Sequence, residues 1–256
     1  MIHPSAIVHS GARLAPDVEV GPFAIIGEHV EIGSGTSVGS HTVIAGHTRI
    51  GKGNRIFQHS VLGGDPQDKK YAGEPTRLEI GDGNTIREFC TFNTGTAQDV
   101  GVTRLGDHNW IMAYVHIAHD SQVGSHTILA NLVTLAGHVT IHDHVILGGG
   151  TMVHQFCRVG IHAFTAGGSI VLRDVPPFVM ASGNSAEPHG INIEGLKRRG
   201  FRTEAIDEIR RAYKTLYKSG LALEDAKQEL RAQVATCAEL GIFVEFLDSS
   251  TRSIIR

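Results

Sequence analysis

The sequence predicts a mainly β protein: a solenoid of six-residue repeats followed by a small α-helical domain. Three observations carry this. From Leu105 to Val159 an aliphatic residue falls on every sixth position: Leu105, Ile111, Ile117, Val123, Leu129, Leu135, Ile141, Leu147, Val153 and Val159. The same period opens the chain in Val8, Leu14, Val20, Ile26, Ile32, Val38, Ile44, Ile50, Ile56 and Leu62. Helices repeat at about 3.6 residues and strands at about 2, so neither alone gives six. After Val171 the pattern fades, and from Asn192 the spacing of apolar residues turns helical.

Each hexad makes one flat side of a coil and sends its anchor inward. The residue after the anchor is mostly small, as in Gly106, Ala118, Gly124, Ala130, Ala136, Gly148 and Gly160. Small residues there let the chain turn tightly. The pattern resembles the hexapeptide-repeat, left-handed parallel β-helix superfamily. That resemblance implies three hexads per triangular coil, with residues 18 apart in sequence stacked about 4.8 Å from each other.

The elements follow in order. The β-helix spans residues 1–185. Polar, Pro- and Gly-containing residues 63–77 read as a loop thrown out from it, and residues 95–104 as a second, shorter one. Such loops on rigid scaffolds often carry function. Val175-Pro176-Pro177-Phe178 and Gly183-Asn184 end the repeats. Residues 186–256 form the helical domain. Thr203 reads as an N-cap, Ile206, Ile209, Tyr213, Leu216 and Tyr217 mark one helical face, and Gly220 stops that helix. A further helix is expected over about Leu223–Ala238, and another short one after it.

Composition sets bounds. The 256 residues are 41% hydrophobic and 19% charged, with 31 glycines and only 6% aromatics. That suits a thin aliphatic core. A net charge of −3 predicts no general attraction to nucleic acid or to a membrane surface. Cys90, Cys157 and Cys237 are odd in number and far apart, so neither a disulfide framework nor a CxxC metal motif is expected. No leader segment or apolar membrane-length run is seen, which predicts a cytoplasmic protein without membrane insertion.

Sixteen histidines invite a metal or catalytic reading. Many recur three places after an anchor, a polar turn position. His108, His126, His144 and His162 are spaced 18 apart and so form a column, either a metal ladder or a solvated corner. The corner reading is preferred, because Asp120 and Gly150 hold equivalent turn positions. His116, His119, His142 and His154 break the rule. Stacking at 18 puts Gly137 on His119 and Gln155 on Gly137. A polar patch over three coils follows: His119, Asp120, Gly137, His138, His154 and Gln155.

Several strings carry a closer resemblance. They are Ala113-Tyr114-Val115-His116-Ile117-Ala118-His119-Asp120, Leu135-Ala136-Gly137-His138-Val139 and Val153-His154-Gln155-Phe156. Gln67-Asp68, Lys70-Tyr71, Gly73-Glu74-Pro75-Thr76-Arg77 and the run from Asn192 to Phe201 extend it over nearly the whole chain. The chain resembles the UDP-N-acetylglucosamine O-acyltransferase family, which begins lipid A synthesis. It departs at Asn93-Thr94, where the family often has His-Arg.

The resemblance implies transfer of a 3-hydroxyacyl group from acyl carrier protein to the sugar 3-hydroxyl. An alcohol is a poor nucleophile at neutral pH, and an imidazole can take its proton as attack begins. The resemblance gives that role to His119, with Asp120 as orienter and the Gly137 N–H as oxyanion donor. No cysteine falls in the patch, which favours direct attack on the thioester. Asp68, Lys70, His116, His138, His154, Gln155, Asn192, Glu194, Arg198 and Arg199 match substrate-binding positions. Gly149 and Gly167 lie 18 apart beside further glycines, which either serve tight turning or leave a groove in the wall for the acyl chain. In the family a bulky residue matching Gly167 goes with short chains, so glycine implies a longer one, of about fourteen carbons, each buried methylene adding about 0.8 kcal/mol. Residues 197–218 carry eight Lys or Arg against three acids. Arg202, Arg210, Arg211 and Lys214 are therefore expected to dock the acidic carrier protein. The resemblance further implies a homotrimer with sites between subunits, and no metal or cofactor. Two other readings are a zinc-dependent carbonic anhydrase-like β-helix enzyme and a non-catalytic hexapeptide scaffold. The first would draw on the histidine column; the second leaves the His119 patch unexplained.

Overall fold

In the computed structural model, which describes residues 1–234 and 237–256, the repeats close into a left-handed parallel β-helix. Among the described residues the short strands stack into three sheets of nine, eight and ten strands. These are faces 1, 2 and 3, visited in that order in every coil. Leu135 on face 1, Ile141 on face 2 and Leu147 on face 3 are successive anchors, each paired with residues 18 away. All ten anchors from Leu105 to Val159 are 0–3% exposed, as the period predicts. Buried branched aliphatics stacked coil on coil form one continuous core.

The two loops leave from the same corner, between faces 1 and 2. Face 2 registers Ile50 against Ile80 and Ile80 against Leu105, separations of 30 and 25 residues instead of 18. Strands Val61–Gly64, Arg77–Ile80 and Val102–Leu105 run further into each loop than the repeat suggested, which leaves residues 65–76 and 94–101 as the excursions. Asn93 and Thr94 tie the two excursions together. Asn93 Nδ2 donates to Asp65 O at 2.8 Å, and Thr94 Oγ1 accepts from Thr76 Oγ1 at 3.1 Å.

The other two corners are columns of stacked rings. Phe23, His41, His59, Phe89 and Tyr114 line the corner between faces 3 and 1, at centroid spacings of 4.9–5.2 Å. His108, His126, His144 and His162 line the corner between faces 2 and 3, as the 18-residue spacing predicts. Their rings lie face to face, and the column closes on Phe178 and Phe201. It begins in solvent at His108 and ends buried at His162, so it is a ring stack and only partly a solvated corner.

Face 3 extends beyond the repeats through the antiparallel pair Val179–Ser182 and Glu187–Ile191. Helices begin after it: α1 Ile193–Arg198, α2 Thr203–Lys218, α3 Leu223–Gln233 and α4 Glu239–Ser249. The α2 N-cap is Arg202 and Thr203 is its first helical residue, one place from the expectation. Helix α3 ends at Gln233, short of the expected Ala238; part of that expectation falls on 235–236, outside the described residues. Ile206, Ile209, Tyr213 and Leu216 bury the inner face of α2. The tail returns to the last coil, where Asp174 N donates to Ser253 O and Ile255 N to Asp174 O.

Candidate active site

His119 sits where the chain leaves face 1, two residues after the buried anchor Ile117. Its Nδ1 lies 3.0 Å from Asp120 Oδ2. The Asp120 side chain is wholly buried, not solvated as a loop carboxylate usually is. Both its oxygens accept from Thr96 N at 3.0 Å, and Oδ2 also from Thr96 Oγ1 at 2.6 Å. Asp120 N donates to Thr103 Oγ1 at 2.8 Å. A carboxylate so held is a fixed acceptor, and it sets the His119 ring with Nδ1 inward and Nε2 free.

One coil on, Gly137 lies directly beneath that ring. A β-carbon there would sit 2.6 Å from His119 Cε1 and 2.7 Å from Nε2. Glycine is therefore required for the close approach of backbone to imidazole. The Gly137 N–H donates to no acceptor among the described residues, so it can meet a ligand oxygen beside the ring.

His138 stacks on Phe156 at 4.4 Å and meets His119 edge-on at 5.0 Å. Its Nδ1 is 2.5 Å from Asp99 Oδ2 in the second excursion. His116 Nδ1 bonds Thr91 Oγ1 at 2.8 Å, and burial holds its imidazole below the ordinary range. His154 and Gln155 follow on the next coil. His154 Nδ1 donates to Gln155 O, which also accepts from Arg252. His119, Asp120 and His138 place one ligand atom each within 4.8 Å of one another. The Asp120 oxygens, however, are already engaged by Thr96 and His119, which is the geometry of an orienter.

The remaining predicted residues lie elsewhere on the chain. Asp68 and Lys70 are in the first excursion, where Asp68 Oδ1 caps the Lys70 N–H at 2.9 Å. Gly149 and Gly167 line the corner between faces 3 and 1. A β-carbon at Gly167 would touch only Gly149 backbone, its O at 3.3 Å and its N at 4.0 Å. Asn192 caps α1 by accepting from Gly195 N and donates to His162 O, so both ends of its side chain are engaged. Glu194 pairs with Lys197, while Arg198 and Arg199 are exposed. Arg210 and Arg211 pair with Asp207 and Glu208 on their own helix, which reduces the field they project; Arg202 and Lys214 lie on the same segment. One chain thus gathers the His119 group on one corner and leaves the glycine pair and the arginines elsewhere.

Thr96, Asp99, Thr103 and Phe156 were not foreseen from sequence. Phe156 lies 18 after His138, so the stacking arithmetic held its signal. Thr96 and Asp99 lie in an excursion, where no period applies.

Known proteins resemble this chain over its full length. Residues 103–137 match the bacterial transferase hexapeptide family, and residues 174–255 match the family described as Udp N-acetylglucosamine O-acyltransferase, Domain 2. The acyl-[acyl-carrier-protein]–UDP-N-acetylglucosamine O-acyltransferase of Thiobacillus denitrificans is 63% identical, covering 100% of this chain and 99% of its own. The solved structure of LpxA from Acinetobacter baumannii superposes with a TM-score of 0.98 at 47% identity, over 100% of this chain and 99% of that one. The Francisella novicida UDP-N-acetylglucosamine acyltransferase structure does so at 0.98 and 46%, over 100% and 94%. With relatives this similar over their full length, the chain belongs to the UDP-N-acetylglucosamine O-acyltransferase family.

Proposed function

We propose that this protein transfers a 3-hydroxyacyl group from acyl carrier protein to the 3-hydroxyl of UDP-N-acetylglucosamine, the first step of lipid A biosynthesis. The observation that carries this reading is the His119 ring, oriented by buried Asp120 and lying over side-chain-free Gly137. His119 Nε2 takes the sugar hydroxyl proton as the oxygen attacks the thioester carbonyl. The tetrahedral oxyanion is met by the Gly137 N–H. Collapse breaks the C–S bond, and the departing thiolate recovers the proton from His119. The products are the 3-O-acylated nucleotide sugar and the free carrier thiol. The scheme uses no cofactor and no metal; the carrier-bound acyl group is a co-substrate.

The working form is a homotrimer. Tyr114, Leu132, Met152 and Phe156 are 49–58% exposed, a patchwork of large apolar side chains that a neighbouring prism would cover. The His119 group and the glycine groove also occupy different corners of one prism, which packing against a second prism can bring together. No helix among the described residues is long and apolar enough to cross a membrane. With a nucleotide sugar and a carrier protein as substrates, the cytoplasm is the proposed location.

The test is incubation of the purified protein with UDP-N-acetylglucosamine and a panel of 3-hydroxyacyl carrier proteins. Appearance of the 3-O-acyl sugar with equimolar free thiol is expected. Absence of product with every donor would reject the reading.

A further inference from the structure

The second excursion holds the His119 corner at two points. Thr96 binds the carboxylate of Asp120 through its N–H and hydroxyl. Three residues later the chain turns back, with Asp99 N donating to Thr96 O at 3.3 Å. That turn presents the Asp99 carboxylate to His138 Nδ1 at 2.5 Å, across 39 residues of sequence. Two Asp–His pairs result on successive coils, Asp120–His119 and Asp99–His138, with their rings meeting edge-on at 5.0 Å. The first pair is internal to its own corner. The second exists only because the excursion folds back over it.

We propose that Asp99 is a positioning residue for the acyl transfer. It takes the Nδ1 proton of His138 in a hydrogen bond, fixes that ring as the Nδ1–H tautomer, and leaves Nε2 as the nitrogen that meets substrate. An ionised carboxylate only accepts, so the nitrogen facing it must carry hydrogen. Which imidazole nitrogen is protonated is set by the bond the other makes. Phe156 stacks on one face of the His138 ring at an interplanar angle of 9°, so the ring has little freedom to tilt. Asp99 supplies the remaining constraint, rotation about the ring's own plane and choice of tautomer. A fixed Nε2 can then accept from a hydroxyl or amide N–H of the nucleotide sugar one coil below the base. The Asp99 side chain is 39% exposed and that of His138 is 16% exposed. A pair this close to solvent contributes little to fold stability, which points to orientation as its purpose.

The inference rests on this corner being the acyl-transfer site, and its test separates the two. Protein labelled with [15N]histidine reports the His138 tautomer by NMR without any turnover, with His138→Asn used to assign the signal. Wild-type protein should show Nδ1–H at His138, and Asp99→Ala should lose it in favour of Nε2–H. Asp99→Glu keeps an acceptor-only carboxylate, so it should retain the Nδ1–H tautomer, whereas the amide of Asp99→Asn also offers a donor to the ring and should not hold it. In the acyl-transfer assay Asp99→Ala should raise KM for the UDP-sugar about tenfold, the low end for a hydrogen bond to a charged group. Asp99→Glu should recover most of that loss, and the urea midpoint of either variant should match wild type. An Nε2–H ring in the wild type would overturn the inference. So would an Asp99→Ala protein with unchanged tautomer, whatever its activity, since a fall in rate alone would then be structural. Failure of the wild type to acylate the sugar would instead reject the acyl-transfer reading and leave the tautomer measurement standing.

Discussion

The ring of His119 occupies the space where a side chain at Gly137 would begin, with Cε1 only 2.6 Å from that position. Backbone and ring are therefore a single unit built from two coils. Gly137 has an ordinary φ, so alanine there is compatible with the backbone but not with the ring. Gly137→Ala should fold and keep its oligomeric state. It should lose about a hundredfold or more in kcat/KM, because an ångström-scale displacement of a reacting group costs that much. Steady-state kinetics beside a thermal melt checks this; wild-type turnover would show that ring and glycine need not touch.

Burial of His162 at the end of the histidine column should make the fold sensitive to acid. His162 is 8% exposed, and burial, with the neighbouring His144 and then Arg199, pushes its imidazole down to about 4. In the unfolded chain a histidine titrates at about 6.5. Between these values the unfolded chain binds the extra proton, so stability is full above about 6.5 and falls as pH drops toward 4. The loss from this one group is on the order of 3 kcal/mol. His162→Phe, which continues the ring stack toward Phe178, should flatten the dependence. Urea midpoints at pH 7.5 and 5 for both proteins measure it, and parallel losses in the two would place the acid-sensitive group elsewhere.

The acyl chain is proposed to lie along the corner that carries Gly149 and Gly167. A side chain at Gly167 would begin against the Gly149 backbone, with no other atom beyond its chain neighbours within 4 Å. Gly167→Met should shorten the preferred donor by several carbons. Each methylene excluded removes about 0.8 kcal/mol, a roughly fourfold preference per carbon. Competition between mixed-length hydroxyacyl carrier proteins reads this directly. An unaltered length profile would put the end of the groove elsewhere.

Much of this architecture was legible because the solenoid repeats its environment. Ile111, Leu129 and Leu147 are buried at one register for one reason, and the same arithmetic placed Gly137 on His119. It failed where the chain leaves the repeat. Nothing in the spacing of Asp120 from its anchor distinguishes it from exposed His126; Thr96, reaching back from an excursion, makes the difference. Asp99 was invisible for the same reason, since its partner lies 39 residues away with no period between them. The antiparallel pair Val179–Ser182 and Glu187–Ile191 was missed because Pro188 and Gly190 break any strand pattern. Thr203 has the chemistry of an N-cap, but Arg202 holds the extended backbone that defines one.

The proposed role of His119 is to remove the sugar hydroxyl proton. That role is read from kcat/KM for acyl transfer by His119→Ala, in protein shown by light scattering and thermal melting to match wild type. The rate should fall by about two to four orders of magnitude, the usual contribution of a positioned base. A His119→Ala enzyme turning over near the wild-type rate would contradict it.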